Sequence, residues 1–225
     1  MQGLKYNVDL VMCIDCTASM SGILNTVKEN ALKFHSDLLN ALDEKGKEIS
    51  QLRIRVLAFR DYYYDGDMAM ETLDFVTLPD QEHVFSEFIN NLEPMGGGDE
   101  PENGLEALSL AIKSNWGKDG DRRREIVIVW TDASAHSLEK NTGSKPSNYP
   151  SDIPENMDEL YDLWDGQKTP MNASAKRLLI YAPDSYPWSD LSNDWESTMH
   201  FPSRAGTGLD EVSYEQILNA ISNSV

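Results

Sequence analysis

The chain has 225 residues, long for one average domain but within reach of a single α/β unit. Its 38 acidic side chains outnumber 19 basic ones, and a formal net charge of -19 repels nucleic acid and anionic membranes, so neither is expected as a partner. No stretch approaches the roughly 20 apolar residues of a membrane span. The N-terminus lacks the basic start and cleavage site of a secretory signal, and two cysteines build no disulfide framework, so a reducing cytoplasm is the expected compartment.

Val8–Ile14 is a nearly continuous apolar run, the pattern of a strand covered on both faces. A polar loop follows from Asp15 to Gly22. Leu24, Val27, Ala31, Phe34, Leu38 and Leu42 then recur every three or four residues and predict a long helix, with Gly46 as its left-handed cap. Leu52–Phe59 and Thr72–Leu78 read as strands. The helix-free link between them, turning at Asp65-Gly66-Asp67, predicts antiparallel pairing. Gln81–Leu92 is a short amphipathic helix. After the glycine-rich loop Met95–Glu100, Pro101 suits the first turn of a helix running to about Asn115. Arg122-Arg123-Arg124 reads as a solvated turn before the buried strand Glu125–Trp130. Ser134–Thr169, rich in Pro, Ser, Asn and Asp, reads as a long surface excursion inside one domain spanning 1–225. It carries one helical stretch near Met157–Trp164 and too little apolar content to fill a core. Lys176–Ala182 is a further strand, Ser197–Phe201 a weaker one, and Leu209–Ile221 a closing helix. Buried strands alternating with amphipathic helices predict a three-layer, Rossmann-like α/β fold: a mostly parallel sheet with one antiparallel edge strand and helices on both faces.

In such sheets ligands sit beyond the carboxyl ends of the strands. The residues placed there are Asp15-Cys16-Thr17-Ala18-Ser19 after the first strand and Thr131-Asp132 after Trp130. Gly97-Gly98-Asp99-Glu100 can fold over the same edge. Carboxylates and hydroxyls suit a hard cation and disfavour zinc or copper. Asp, Thr and Ser at alternate positions of a tight loop can point three oxygens at one place, and Ser19 can also cap the following helix.

Asp15-Cys16-Thr17-Ala18-Ser19 resembles the D-x-[S/T]-x-S signature of the metal-ion-dependent adhesion site (MIDAS) of von Willebrand factor type A domains. Ile128-Val129-Trp130-Thr131-Asp132 resembles that family's third motif, an Asp after an apolar strand. In place of the usual middle Thr, Gly96-Gly97-Gly98-Asp99-Glu100-Pro101-Glu102 is similar to the GGGD-x-PE variant of microbial and alpha-kinase-associated members. The resemblance runs from about residue 6 to the end, weakest over 134–170. It implies one divalent ion, with Mg²⁺ favoured over Mn²⁺ or Ca²⁺, bound through Asp15, Thr17, Ser19, Asp99 and Asp132. It implies a protein partner whose acidic side chain completes the metal shell, in an adhesion, scaffold or regulatory role that includes kinase, phosphatase or stress-response systems. Asp99 in place of a neutral Thr predicts tighter metal binding and a weaker pull on a partner carboxylate.

Each residue also has a plainer reading. Asp15 can merely end a strand, and Asp99 can be a helix N-cap. Asp61, Glu100 and His136 are candidate rim residues for a partner, or members of packed turns. Cys13-Ile14-Asp15-Cys16 spells C-x-x-C, but no further cysteine exists to complete a zinc site, and Cys13 lies in the core strand. The rival function is a metal-dependent phosphotransferase or hydrolase using Asp15. Against it, the second Asp that such enzymes place two residues on is Thr17, and no phosphate loop, nucleophile elbow or H-E-x-x-H helix occurs. A binding module, not an enzyme, is expected.

Overall fold

The computed structural model describes residues 5–98, 100–120, 122–140, 145–167, 169–203 and 214–224. Six strands, β1 (Lys5–Asp15), β2 (Glu48–Phe59), β3 (Met70–Leu78), β4 (Arg122–Trp130), β5 (Lys176–Pro183) and β6 (Thr198–Ser203), form one sheet in the order β3-β2-β1-β4-β5-β6. Only β2 and β3 pair antiparallel, because ten residues without an α-helix join them; every other pairing is parallel.

The near-continuous apolar strands divide their side chains between two helix layers. Leu10, Met12 and Ile14 of β1 and Ile126 and Ile128 of β4 face α1 (Leu24–Glu44), α2 (Glu82–Asn91) and α6 (Tyr214–Ser224). Val11, Cys13, Val127 and Val129 face α3 (Gly104–Ile112), α4 (Met157–Asp165) and α5 (Trp188–Asp194). Gly46, at φ +66, ends α1 as its position predicts. No helix among the described residues is long and apolar enough to cross a membrane.

Four expectations need correction. Arg122–Arg124 are not a turn but the opening of β4, where Arg122 and Arg124 lie over the Tyr6 ring. Pro101 precedes α3 instead of entering it, and the helix begins at Gly104 after Asn103. α5, too short and too broken by Ser and Asp to show a period, was not expected. The segment after Ser134 is not confined to the surface: Leu138, Tyr149, Ile153, Leu160 and Trp164 are buried with α3 and β5. Its few apolar side chains do not make a core alone, but they complete one that the sheet has begun. Of the predicted closing helix, 209–213 lie outside the described residues.

Candidate metal centre

β1 and β4 are neighbours in register, Ile14 opposite Trp130, so Asp15 and Thr131 leave the sheet side by side. From there a continuous line of side-chain oxygens runs outward. Thr131 Oγ1 donates to Asp15 Oδ2 at 2.6 Å. Asp15 Oδ1 accepts from the backbone N of Thr17 at 2.9 Å and from its Oγ1 at 2.7 Å. Thr17 Oγ1 lies 2.9 Å from Ser19 Oγ, and Ser19 Oγ donates to Asp132 Oδ1 at 3.0 Å. Two residues of separation put Thr17 and Ser19 on one side of the loop, which tightens into a 3-10 turn over Ala18–Gly22. Ser19 is thereby committed to Asp132 and does not cap α1, whose N-cap is Ile23.

The glycine-rich loop lies directly against this line. Met95 N donates to Cys16 O at 3.0 Å and Ala18 N to Gly96 O at 3.2 Å. Gly97, at φ +89, touches Thr17 so closely that an added Cβ would stand 2.7 Å from its methyl group and from Glu102 Oε1. Only glycine combines that backbone with that approach. Asp99, the expected carboxylate of this loop, lies outside the described residues.

A cavity of about 170 Å³ opens here, bordered by Thr17, Ser19, Gly98, Glu100, Glu102 and Asp132. Asp15 does not border it. Fully buried, with both carboxylate oxygens accepting hydrogen bonds, Asp15 orients the two threonine hydroxyls. Among the described residues, buried Asp132 Oδ2 and Glu102 Oε2 have no hydrogen-bond partner. Burial, then the charges of Asp15, Asp61, Asp65 and Asp132, pushes the Glu102 carboxyl up to about 9. Burial raises Asp15 to about 6 in spite of its hydrogen-bond donors, and burial raises Asp132 as well. Buried carboxylates with orphaned oxygens lack a positive charge, which an oxygen-seeking cation would supply. Among the described residues no group of three His, Cys, Asp or Glu side chains is placed to hold a metal, so any shell here depends on hydroxyl oxygens. That donor set fits a hard ion.

The expected rim residues separate. Asp61 is 2% exposed: Tyr63 N donates to its Oδ1 at 2.6 Å and His136 Nε2 stands 3.1 Å from its Oδ2, so it braces the loop from beneath and offers no rim surface. His136, half-buried, packs its ring on Tyr63. Glu100 is exposed, with Oε1 accepting from Ser134 N at 2.7 Å. Cys13 and Cys16 are free and buried, and burial pushes the Cys16 thiol up to about 12, unlike a reactive redox pair.

Sequence reasoning assigned no role to three contributors. Glu102 stands in the quoted motif and Thr131 precedes Asp132, so both were within sight. Arg60 was not. Buried at 1% exposure after β2, its guanidinium donates to the carbonyls of Cys16 at 3.1 Å, Met68 at 2.9 Å and Glu93 at 2.8 Å, and to Glu71 Oε1 at 2.6 Å. One planar cation thus ties together three of the loops around the cavity.

Comparisons with known proteins place the fold. The von Willebrand factor A domain family matches residues 9–144, more than half of the chain. The alpha-protein kinase vwkA of Dictyostelium discoideum is 27% identical over 156 residues, covering 69% of this chain; the match spans 23% of the kinase's own length. Among solved structures, the pilus adhesin SpaC from Lactobacillus rhamnosus GG aligns with a TM-score of 0.58 and 13% identity, over 99% of this chain and 31% of that one. Proximal thread matrix protein 1 of the mussel byssus, with a zinc-occupied MIDAS motif, aligns at a TM-score of 0.50 and 12% identity, over 96% of this chain and 46% of that one. The solved structures share the fold. The sequence match, extending over both the Asp15–Ser19 loop and Asp132, makes the chain a member of the von Willebrand factor A domain family.

Proposed function

We propose that residues 1–225 act as one divalent-cation-dependent protein-binding domain. Thr17, Ser19 and Asp132 supply oxygens to the ion, Asp15 positions Thr17, and Asp99 joins from the glycine-rich loop as the GGGD-x-PE pattern implies. The observation that carries the reading is the line of hydroxyls and carboxylates ending at the partnerless Asp132 Oδ2 beside an open cavity. Mg²⁺ is the favoured ion. Adjacent oxygens in an octahedron with bonds of 2.0–2.1 Å lie about 2.9 Å apart, and the hydrogen-bonded Thr17–Ser19 and Ser19–Asp132 oxygens, at 2.9 and 3.0 Å, are close enough to share such an ion. The ion would hold a carboxylate brought by a partner protein. The kinase relative supports a regulatory or scaffold role, and two buried free thiols support a reducing, cytoplasmic setting. The burial and full hydrogen bonding of Asp15 argue against its use as a nucleophile, and so against the phosphotransferase alternative.

The test is thermal unfolding with Mg²⁺ against EDTA. At one hundred times the dissociation constant, binding adds about 2.7 kcal/mol, a rise in Tm of about 5–10 °C for a chain of this size. Asp132→Asn and Ser19→Ala should lose most of that rise. An unchanged wild-type Tm over millimolar Mg²⁺, Mn²⁺ and Ca²⁺ would end the proposal.

A further inference from the structure

Large apolar side chains left in water are informative when they gather in one place. Seven are exposed among the described residues, and four of them come from two neighbouring segments: Tyr63, Tyr64 and Met68 from the turn after β2, and Met95 from the glycine-rich loop that borders the cavity. Tyr64, 69% exposed, is the most open of them, and its ring lies so close to Gly98, on the cavity's lip, that a Cβ there would overlap it. Met95 follows on the same glycine-rich loop, its backbone bonded to Cys16 O, and Met68 O is held by Arg60. Arg60 and the Asp65 bond to Gly97 N fix the two loops against each other, so Tyr64 at the cavity lip and the exposed Met68 and Met95 sit on two tethered loops beside the cavity. Asp67, Glu93 and Glu100 are exposed around it.

We propose that Tyr64, Met68 and Met95 form an apolar subsite of the partner-binding surface, taking a bulky apolar side chain next to the single carboxylate that the cation holds, in a partner segment whose other charges are basic. The subsite deepens the cation reading and rests on it. Tyr and Met suit such a place, the first as a rigid anchor and the second because its flexible thioether moulds to varied side chains. The charge requirement follows from the border. The cation can neutralise one partner carboxylate, but further acids would face Asp67, Glu93 and Glu100 without compensation, whereas Lys or Arg would find counter-charges there.

The experiment is selection from a displayed random-peptide library on the intact chain, in Mg²⁺ and in EDTA, repeated on Tyr64→Ser, Met95→Ser and Met68→Ser. Each variant's unfolding and its Mg²⁺ response report whether the cation loop survives the change, and Met68→Ser, off the glycine-rich loop, keeps the test open should either of the others fail. The expected Mg²⁺-dependent winners carry one Asp or Glu, a neighbouring Phe, Tyr, Leu or Met, and an excess of Lys and Arg elsewhere. The variants should bind them about tenfold more weakly, the loss of more than about 1 kcal/mol expected of an energetically important contact. No enrichment of an apolar neighbour, enrichment of polyacidic peptides, or unchanged binding by the variants overturns the subsite. Apolar peptides selected equally in EDTA would keep the surface and overturn the cation reading.

Discussion

Glu102 shows in one side chain what the site lacks. It is 5% exposed, with one oxygen unpartnered and four carboxylates raising its affinity for a proton. Its value in the folded chain, about 9 against an ordinary 4.5, means that folding favours the protonated form. The resulting stability is complete below the ordinary value and is lost as pH rises through the folded one. Asp15 behaves alike over a lower window, from 3.8 to about 6. In EDTA, therefore, urea denaturation of the wild type should show stability falling from about pH 4 to about pH 9. Glu102→Gln, which cannot ionise, should fall less across the upper part of that range. Parallel curves for the two proteins would show that Glu102 titrates as an ordinary carboxylate.

At the scale of elements, the site belongs to loops and not to strands. β1 and β4 set where Asp15 and Thr131 emerge, but the glycine-rich loop is held against Thr17 by the Met95–Cys16 and Ala18–Gly96 backbone bonds and by Arg60. Its guanidinium satisfies carbonyls of the Cys16, Met68 and Glu93 segments and pairs with half-buried Glu71. Arg60→Met should leave Glu71 without its charge partner and the Met68 and Glu93 carbonyls without this donor, while Cys16 O keeps Met95 N, and should cost about 3–5 kcal/mol, the usual result of removing one partner of a buried pair. Arg60→Lys should recover part of that loss, since an ammonium keeps the charge but cannot span several carbonyls in one plane. Urea midpoints of the three proteins check both statements. A Met variant as stable as the wild type would show that the loops hold their places without the guanidinium.

Across the whole molecule, the long segment after Ser134 is fastened to α3 by a buried polar group. Glu106 is fully buried, Tyr149 OH donates to its Oε1 at 2.8 Å, and Lys140 Nζ stands 3.4 Å away. Lys140 also lies 5.6 Å from the Tyr63 ring centroid, and Tyr62 packs edge-on against Tyr149. The segment therefore braces the loop that carries Tyr63 and Tyr64, besides filling the core. Tyr149→Phe should cost about 1–3 kcal/mol, because it removes a donor from a buried carboxylate. Limited proteolysis should then cut within the segment sooner than in the wild type; an unchanged cleavage rate would show that other contacts hold it.

The sequence by itself determined the six strands, the helices other than α5, the antiparallel edge pair and the order of the motifs. A buried strand and an amphipathic helix are local periodic patterns, and a short link without a helix leaves two strands no choice but to run antiparallel. It also named Asp15, Thr17, Ser19 and Asp132, whose side chains the structure brings into one hydrogen-bonded line. Only the tertiary structure decided which oxygens face the cavity, that Asp61 is buried, that Arg60 joins the loops, and that Leu138 and Trp164 belong to the core. These depend on contacts between residues far apart in the chain, for which no local spacing carries a signal.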